Sequence, residues 1–306
     1  MPRTVARALA RAALALLTAG SLLVMAGPAP AAPPGSPSAT RADAGTPLTR
    51  FTVIDHNIEH NPAALRLAIR QAASAKAQAI TLQEVCWWQA RDLRRRHPGW
   101  TVAWTEERAV RSCEEDRGPL LPRDKRRTLG NVAIWTGGSS GVTSVQRFHN
   151  QYRKFNQGMA CVTYRAGART RLCSVHLISA SKPAARRRIR VRQAREVHRL
   201  TSRWVVRDDL VVLGGDFNNP PYRSALDFIY AFRGQGSFRE ATPCPRRNRD
   251  CRGSEVTFDG GRTKIDYVFF SANRMSGTAA RHLRVVKTPS DHHLLRAWAY
   301  VDTRAH

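Results

Sequence analysis

Residues 210–221 read LVVLGGDFNNPP. An apolar run carries the chain to Asp216, Asn218 follows two residues later, and two prolines close the segment. In an extended segment residues i and i+2 point the same way. Asp216 and Asn218 are therefore expected to address one ligand, with Phe217 facing back into a core. Similar placements recur along the chain. Asn57 ends FTVIDHN, Glu84 lies near the end of AITLQEV, and His176 lies near the end of RLCSVHL. Asp266 sits in KIDYVFF, and Asp291-His292 precede LLRAWAYV. Carboxylate and imidazole side chains are those of acid–base chemistry. Strand ends and their loops are where a rigid scaffold positions such groups.

These residues need strands and a few helices to hold them. Short β-type runs are expected at 51–57, 79–85, 131–136, 159–164, 171–177, 209–218, 265–270 and 294–301. Asn61-Pro62 is an N-cap followed by proline at the first helical position, opening a helix to about Lys76. A short helix is expected from the end of the second strand to about Arg96. Over residues 183–206, Ile189, Gln193, Val197, Leu200 and Trp204 fall on one helical face. Strands with only some helices between them indicate a mixed α/β architecture rather than an all-parallel sheet.

The chain has 306 residues and 42% hydrophobic content, enough for a sizeable core. Residues 1–31 read as a secretory signal: Arg3, Arg7 and Arg11, an apolar run from Ala12 to Gly27, and the cleavage site Ala29-Pro30-Ala31. The run is short for a membrane span and interrupted by Gly20 and Ser21; an uncleaved anchor is the competing reading. No Arg-Arg pair precedes it, so general secretion is expected rather than twin-arginine export. Residues 32–49 are rich in Pro, Ala, Ser and Gly, a disordered leader, and residues 50–302 read as one catalytic domain. Six cysteines in an exported protein suggest disulfides. Sequence proximity suggests Cys161–Cys173, across a hairpin centred on Gly167, and Cys244–Cys251, closing a Pro/Arg-rich loop. Cys86 and Cys113 then pair by elimination. No CxxC or Cys/His zinc spacing is present.

Fifty Lys+Arg stand against twenty-three Asp+Glu, a formal charge of +27. This balance suits an anionic partner: nucleic acid, an anionic membrane surface, or a phosphate-rich substrate. A coding bias toward Arg would enrich Arg without a partner, but it does not explain the shortage of acid.

Taken in order, DHNIEHN, LQEV, GNVAIW, SVHL, GGDFNNPP, KIDYVFFS and SDHH resemble the endonuclease/exonuclease/phosphatase family. These are metal-dependent phosphoesterases that include pancreatic-type deoxyribonuclease. The resemblance covers most of residues 51–300. It implies a four-layer α/β sandwich of two facing mixed β-sheets flanked by helices, with the site at one edge. It implies Glu84 as the main ligand of Mg²⁺, Asn57 near the metal and Asp291 as a further ligand. Oxygen donors with retained water suit that ion; Mn²⁺ is a substitute, and structural Ca²⁺ is left open. Asp216 would orient or deprotonate the attacking water, and Asn218 would hold the phosphate. His292 would hydrogen-bond or protonate the phosphoryl group, with Asp266 fixing its tautomer. His176 matches nuclease-like members, where a second His faces the scissile phosphate. Asn131 and Arg188 are further candidates for the substrate phosphate. The chain departs from the pattern at Asp55-His56, where Trp often precedes the first Asn, and at Leu294, where Pro is frequent. His293 leaves the choice of catalytic His open.

The fold and motifs give phosphoester cleavage, not its substrate. The inositol-phosphatase segments are absent. Sphingomyelinase-like members share the core motifs, and CWWQ (86–89) is the one candidate here for an apolar docking loop. Arg188, Arg192, Arg195, Arg199 and Arg203 form a stripe on the third helix, while RDKRR (123–127) and PRRNR (245–249) sit in loops. Such contacts give phosphate affinity without sequence specificity. The expectation is a secreted, monomeric nuclease acting on DNA, RNA being the other nucleic-acid substrate. Its cleavage should slow steeply with added salt. The alternatives are a secreted phosphatase or phospholipase C-type enzyme, the one reading that needs membrane contact, and a basic nucleic-acid-binding protein without chemistry.

Overall fold

The computed structural model describes residues 48–113, 127–152, 155–179, 184–244, 251–275 and 281–305. Twelve strands and three helices follow one another among them. They are β1 (Thr49–Asn57), α1 (Pro62–Ala75), β2 (Ala79–Cys86), α2 (Trp87–Arg96), β3 (Thr101–Ala109), β4 (Thr128–Trp135), β5 (Val142–Arg147), β6 (Gly158–Ala166), β7 (Ala168–His176), α3 (Ala184–Val206), β8 (Leu210–Asp216), β9 (Phe238–Glu240), β10 (Asp266–Ser271), β11 (Arg281–Val286) and β12 (Leu294–Val301). The strands form two six-stranded sheets, β11-β12-β1-β2-β4-β3 and β5-β6-β7-β8-β10-β9. In each sheet one central pair is parallel, β1 with β2 and β7 with β8, and the other pairs are antiparallel. A parallel pair needs a crossover, and α1 and α3 supply the two crossovers.

Three apolar clusters define four layers. Phe51, Val53, Leu172, Val212, Phe270 and Leu295 meet between the sheets. Ile54, Ile80 and Leu82 pack under Ala64, Ala68 and Ala72 of α1 and Leu93 of α2. Val175, Val211, Phe217 and Phe269 pack under Ala194 and Val197 of α3. This is the four-layer α/β sandwich the motifs imply. Local signals account for the elements: Asn61 Oδ1 accepts from the N–H groups of Ala63 and Ala64 to cap α1, and Gly167 takes φ +83° at the β6–β7 turn.

The disulfides are Cys86–Cys113, Cys161–Cys173 and Cys244–Cys251, the last two as expected from proximity and the first by elimination. Thr49 and Arg50 already pair with β12, and the Thr303 carbonyl accepts from the Ala168 N–H. The folded body thus runs slightly past both expected ends. The expected signal and most of the leader lie outside the described residues, as do PRRNR and all of RDKRR except Arg127. No helix among the described residues is long and apolar enough to cross a membrane.

Between the sheets, toward one end, the core turns polar. Asp55 accepts from Thr81 Oγ1 at 2.8 Å and Gln83 Nε2 at 3.0 Å. Gln83 also donates to Ser174 Oγ, and Ser174 donates to the Leu82 carbonyl. These bonds cross from the β1/β2 sheet to the β7/β8 sheet. Gly214 makes room for them: a Cβ there would lie 2.0 Å from Thr81 Oγ1.

Candidate active site

The polar seam opens at the carboxyl ends of the two parallel strand pairs. Asn57 and Glu84 end one pair, and His176 and Asp216, adjacent in register, end the other. The two ends meet: Asn57 Nδ2 donates to Asp216 Oδ2 at 3.3 Å across the sandwich. Around them lies a cleft of about 570 Å³ lined by Asn57, Glu59, Glu84, Arg108, His176, Arg190, Asp216, Asn218, Asp291 and His292, among others. Eight of the sequence candidates are accounted for as follows: Asn57, Glu84, His176, Asp216, Asn218, Asp291 and His292 line the cleft, and Asp266 stands directly behind His292.

Two histidines flank Asp216. His176 Nε2 lies 3.5 Å and His292 Nε2 lies 3.8 Å from Asp216 Oδ2. Each imidazole has its own carboxylate on the far nitrogen. Asp266 sits 2.9 Å from His292 Nδ1, and Glu107 sits 2.9 Å from His176 Nδ1. Asp266 is fixed in turn by the Thr257 hydroxyl at 2.7 Å. Burial by itself would lower both imidazoles. Glu107, with help from Asp216 and Glu84, instead raises His176 to about 9, and Asp266, with Asp216 and Asp291, raises His292 to about 10. The carboxylate partners thus favour the charged form of both rings. Burial and the Asp266 carboxylate push Asp216 up to about 6, against the pull of the two histidines. The pair His292-His293 is resolved by direction. His293 turns away, its Nε2 at 3.0 Å from Asp259 and its Nδ1 at 3.2 Å from the Val256 carbonyl.

Two backbone irregularities aim the remaining side chains. The β2–β4 register breaks between Leu82 and Val85, and Glu84 takes φ 54°. Gln83 faces the seam, so regular alternation would send Glu84 to the helix side. The bulge turns it into the cleft, where Arg108 Nη2 stands 3.5 Å from its carboxylate. Asn218 takes φ 49°, so it does not continue the strand. Its backbone N–H donates to Asp216 Oδ1 at 2.7 Å, and its Nδ2 donates to the Leu177 carbonyl at 2.9 Å. Asp216 and Asn218 share the cleft through a turn, not through the i, i+2 rule. Phe217 is fully buried as expected.

Two candidates stand outside the cleft lining. Asn131 is fully buried and donates to the Gly158 carbonyl, tying the sheets together away from the cleft. Arg188 is exposed on α3 and does not line the cleft. The α3 arginine that does is Arg190, whose guanidinium donates to the Asn218 carbonyl. Two helical positions turn the side chain by about 200°, so the neighbouring arginine faces the opposite way. Trp87 and Trp88 lie half-buried on α2, Trp87 beneath Arg91 and Trp88 against the Cys86–Cys113 disulfide.

Glu107, Arg190 and His56 are neighbours of the cleft residues that sequence reasoning missed. The last is buried behind Asn57, with Nε2 at 3.0 Å from Thr288 Oγ1 and 3.3 Å from the His292 carbonyl. The alternation of Thr101, Ala103, Thr105 and Glu107 on β3 was the available signal for Glu107.

The donor chemistry fits a hard divalent cation. Glu84, Asp291 and the amide oxygen of Asn57 present only oxygen to the cleft, with Glu59 beside them. Asp291 is raised by partial burial and, among its neighbours, by the Glu59 charge, a crowding of carboxylates that a cation would relieve. Asp216, Asp266 and His292 also place donor atoms within 4.8 Å of one another. In that group the Asp266 oxygens and His292 Nδ1 are already engaged with each other and with Thr257. We therefore read it as a hydrogen-bonded relay, not as the metal centre.

Fold and site together define a class, the divalent-metal-dependent phosphoester hydrolases built on two facing sheets. The family profile described as Endonuclease/Exonuclease/phosphatase family matches residues 56–292, and the chain belongs to that family. Among solved structures, the human Nocturnin catalytic domain with bound sulfate superposes with a TM-score of 0.59 at 14% identity, covering 85% of this chain and 98% of that one. A family protein from Bacteroides thetaiotaomicron gives 0.56 at 15%, covering 84% and 99%. D. rerio TDP2 complexed with single strand DNA product gives 0.54 at 16%, covering 82% and 99%. At these identities the likeness is one of fold. No curated protein matches the sequence.

Proposed function

We propose that the protein is a secreted, Mg²⁺-dependent phosphodiesterase that cleaves DNA. The observation that carries this reading is the second imidazolium. His176, buried and locked by Glu107, faces His292 across Asp216, so two cations converge on one carboxylate at the floor of an open cleft. Arg108 and Arg190 line the same cleft. Beside the carboxylates that would hold a cation, these four cationic side chains suit a phosphodiester flanked by further phosphates. The similar D. rerio TDP2 structure is complexed with single strand DNA product, which supports a nucleic-acid substrate. The three disulfides support an oxidising, extracellular setting.

Each residue then has a task. Asp216 orients the attacking water and takes up its proton. Its Oδ1 is fixed by the Asn218 N–H and its Oδ2 by Asn57. His292 and His176 donate hydrogen bonds to the phosphoryl oxygens as charge builds in the transition state. Asp266 and Glu107 hold the two rings in the required orientation. Glu84, Asn57 and Asp291 would hold the cation, which supplies Lewis-acid stabilisation of a phosphoryl oxygen.

The test is a supercoiled plasmid incubated with the mature protein, with Mg²⁺ and with chelator. Nicking is expected with Mg²⁺, is lost with chelator, and is lost in Asp216→Ala while the circular dichroism spectrum stays the same. A fully active Asp216→Ala enzyme refutes the mechanism. A metal-dependent wild type that hydrolyses phosphomonoesters or phospholipids but never nicks DNA refutes the substrate.

A further inference from the structure

A second groove, of about 550 Å³, lies beyond the catalytic cleft. Arg165, Arg169, Arg171, Arg203, Arg207 and Trp204 are among its lining residues. Arg169 and Arg171 stand near the start of β7, whereas His176 ends it. At a rise of about 3.3 Å per residue, Arg169 is roughly 23 Å from the catalytic histidine. Five guanidinium-bearing side chains line it, and among the described residues the acid paired with them is Asp209.

That acid does not neutralise the groove; it organises it. Asp209 is buried, with one oxygen 2.6 Å from Arg171 Nε and the other 3.6 Å from Arg169 Nε. Arg171 also donates from Nη1 to Thr163 Oγ1 at 3.3 Å and lies over the Trp204 ring at 4.7 Å. Arg171 is thereby preorganised, and Arg169 keeps its terminal nitrogens for another partner. Arg165, Arg203 and Arg207 are exposed, and their side chains have no acidic partner among the described residues. Arg203 and Arg207 also suit the carboxyl end of α3. That explanation does not reach Arg165, Arg169 and Arg171, which stand on β6 and β7. Fixed guanidinium forks next to an aromatic face are the surface that nucleic-acid backbones recognise.

We infer that this groove is an exosite for the phosphate backbone of nucleic acid, holding a segment of the substrate away from the bond being cut. The inference rests on the nuclease reading and deepens it. A segment held here cannot occupy the cleft as well, so the exosite favours long substrates and leaves short esters unaffected.

The test is the triple variant Arg165→Gln/Arg203→Gln/Arg207→Gln, whose residues are exposed and stand outside the cleft. Binding of a phosphorothioate duplex of roughly 40 base pairs is measured in Mg²⁺ across a salt series. Losing three phosphate contacts should flatten the slope of log K against log salt by about 2 to 3 and weaken binding about tenfold or more. Hydrolysis of bis(4-nitrophenyl) phosphate should match the wild type, showing an intact fold and cleft. Equal affinity and slope in the two proteins overturn the exosite. So does a variant that loses binding to phosphatidylglycerol vesicles while its DNA binding is unchanged, which would assign the groove to a membrane surface. The nuclease reading fails separately: a wild type that hydrolyses the small ester but no plasmid sinks that reading, while the binding comparison still decides the groove.

Discussion

Replacing Glu107 by Gln tests the catalytic assembly at its least obvious point. Glu107 is 2% exposed and stands 2.9 Å from His176 Nδ1. Gln157 Nε2 donates to its other oxygen at 3.3 Å. Glutamine has the same shape, so the packing survives and the charge is lost. Glu107 is the largest influence opposing burial in raising His176 to about 9. Without it the ring should fall back toward the ordinary imidazole value of about 6.5. At about pH 7.5 the charged fraction then drops from roughly 97% to roughly 9%. If His176 works as an imidazolium, kcat/KM of Glu107→Gln relative to wild type should be about one tenth at that pH. The ratio should climb toward one by about pH 5.5, where a ring of ordinary value is again mostly charged. Taking the ratio at each pH removes the shared loss caused by protonation of Asp216. The assay is initial rates on bis(4-nitrophenyl) phosphate in Mg²⁺ over that range. A ratio near one at the upper pH, or a loss that does not change with pH, refutes the argument that Glu107 acts through the charge of His176.

Two further outcomes follow from the same geometry. Arg190→Ala should lower kcat/KM on DNA by about tenfold to a hundredfold, the worth of one or two charge-assisted hydrogen bonds, with partial recovery in Arg190→Lys; steady-state kinetics on plasmid checks this. His56 is held neutral by burial, its pKa lowered to about 4. The unfolded chain therefore binds this proton first, so the stabilisation is complete above about pH 6.5 and is lost as pH falls toward 4. Between about pH 7 and pH 5, urea titrations should show wild type losing about 2 kcal/mol more than His56→Gln.

The buried strands were legible in the sequence because the chain writes them as apolar runs. The four strands that periodicity did not announce, β3, β5, β9 and β11, are the four edges of the two sheets. Edges half-face solvent, and three of these alternate between sheltered and exposed or half-exposed positions, while β9 has only three residues. Glu107 was hidden for that reason. The strand-end candidates were found because polar residues at the ends of apolar runs stand out against their neighbours. Their aim was not legible. Glu84 depends on a bulge and Asn218 on a left-handed turn, and both arise from tertiary pairing rather than from local composition. Arg190 was lost among the many arginines of α3, where two positions along the helix separate a cleft residue from a solvated one.

The site is also the place where the two sheets are joined, and this constrains how it can fail. Asn57 of the first sheet bonds Asp216 of the second; Glu107 of the first pairs with His176 of the second. His292, leading into β12 of the first, pairs with Asp266 of the second. Below them, Gln83 and Ser174 make the same kind of crossing. Each imidazole therefore keeps its raised pKa only while the sheets hold their mutual register, because its carboxylate comes from the opposite sheet. A change in the seam that lets the sheets slide, even one far from substrate, should separate both acid–imidazole pairs together. Loss of a single partner, as in Glu107→Gln, should instead leave the other pair in place. The coupling gives the fold a physical reason for placing these charges at the mouth of the polar seam between the sheets. There each charge is desolvated enough to be strong and close enough to a partner to remain ionised.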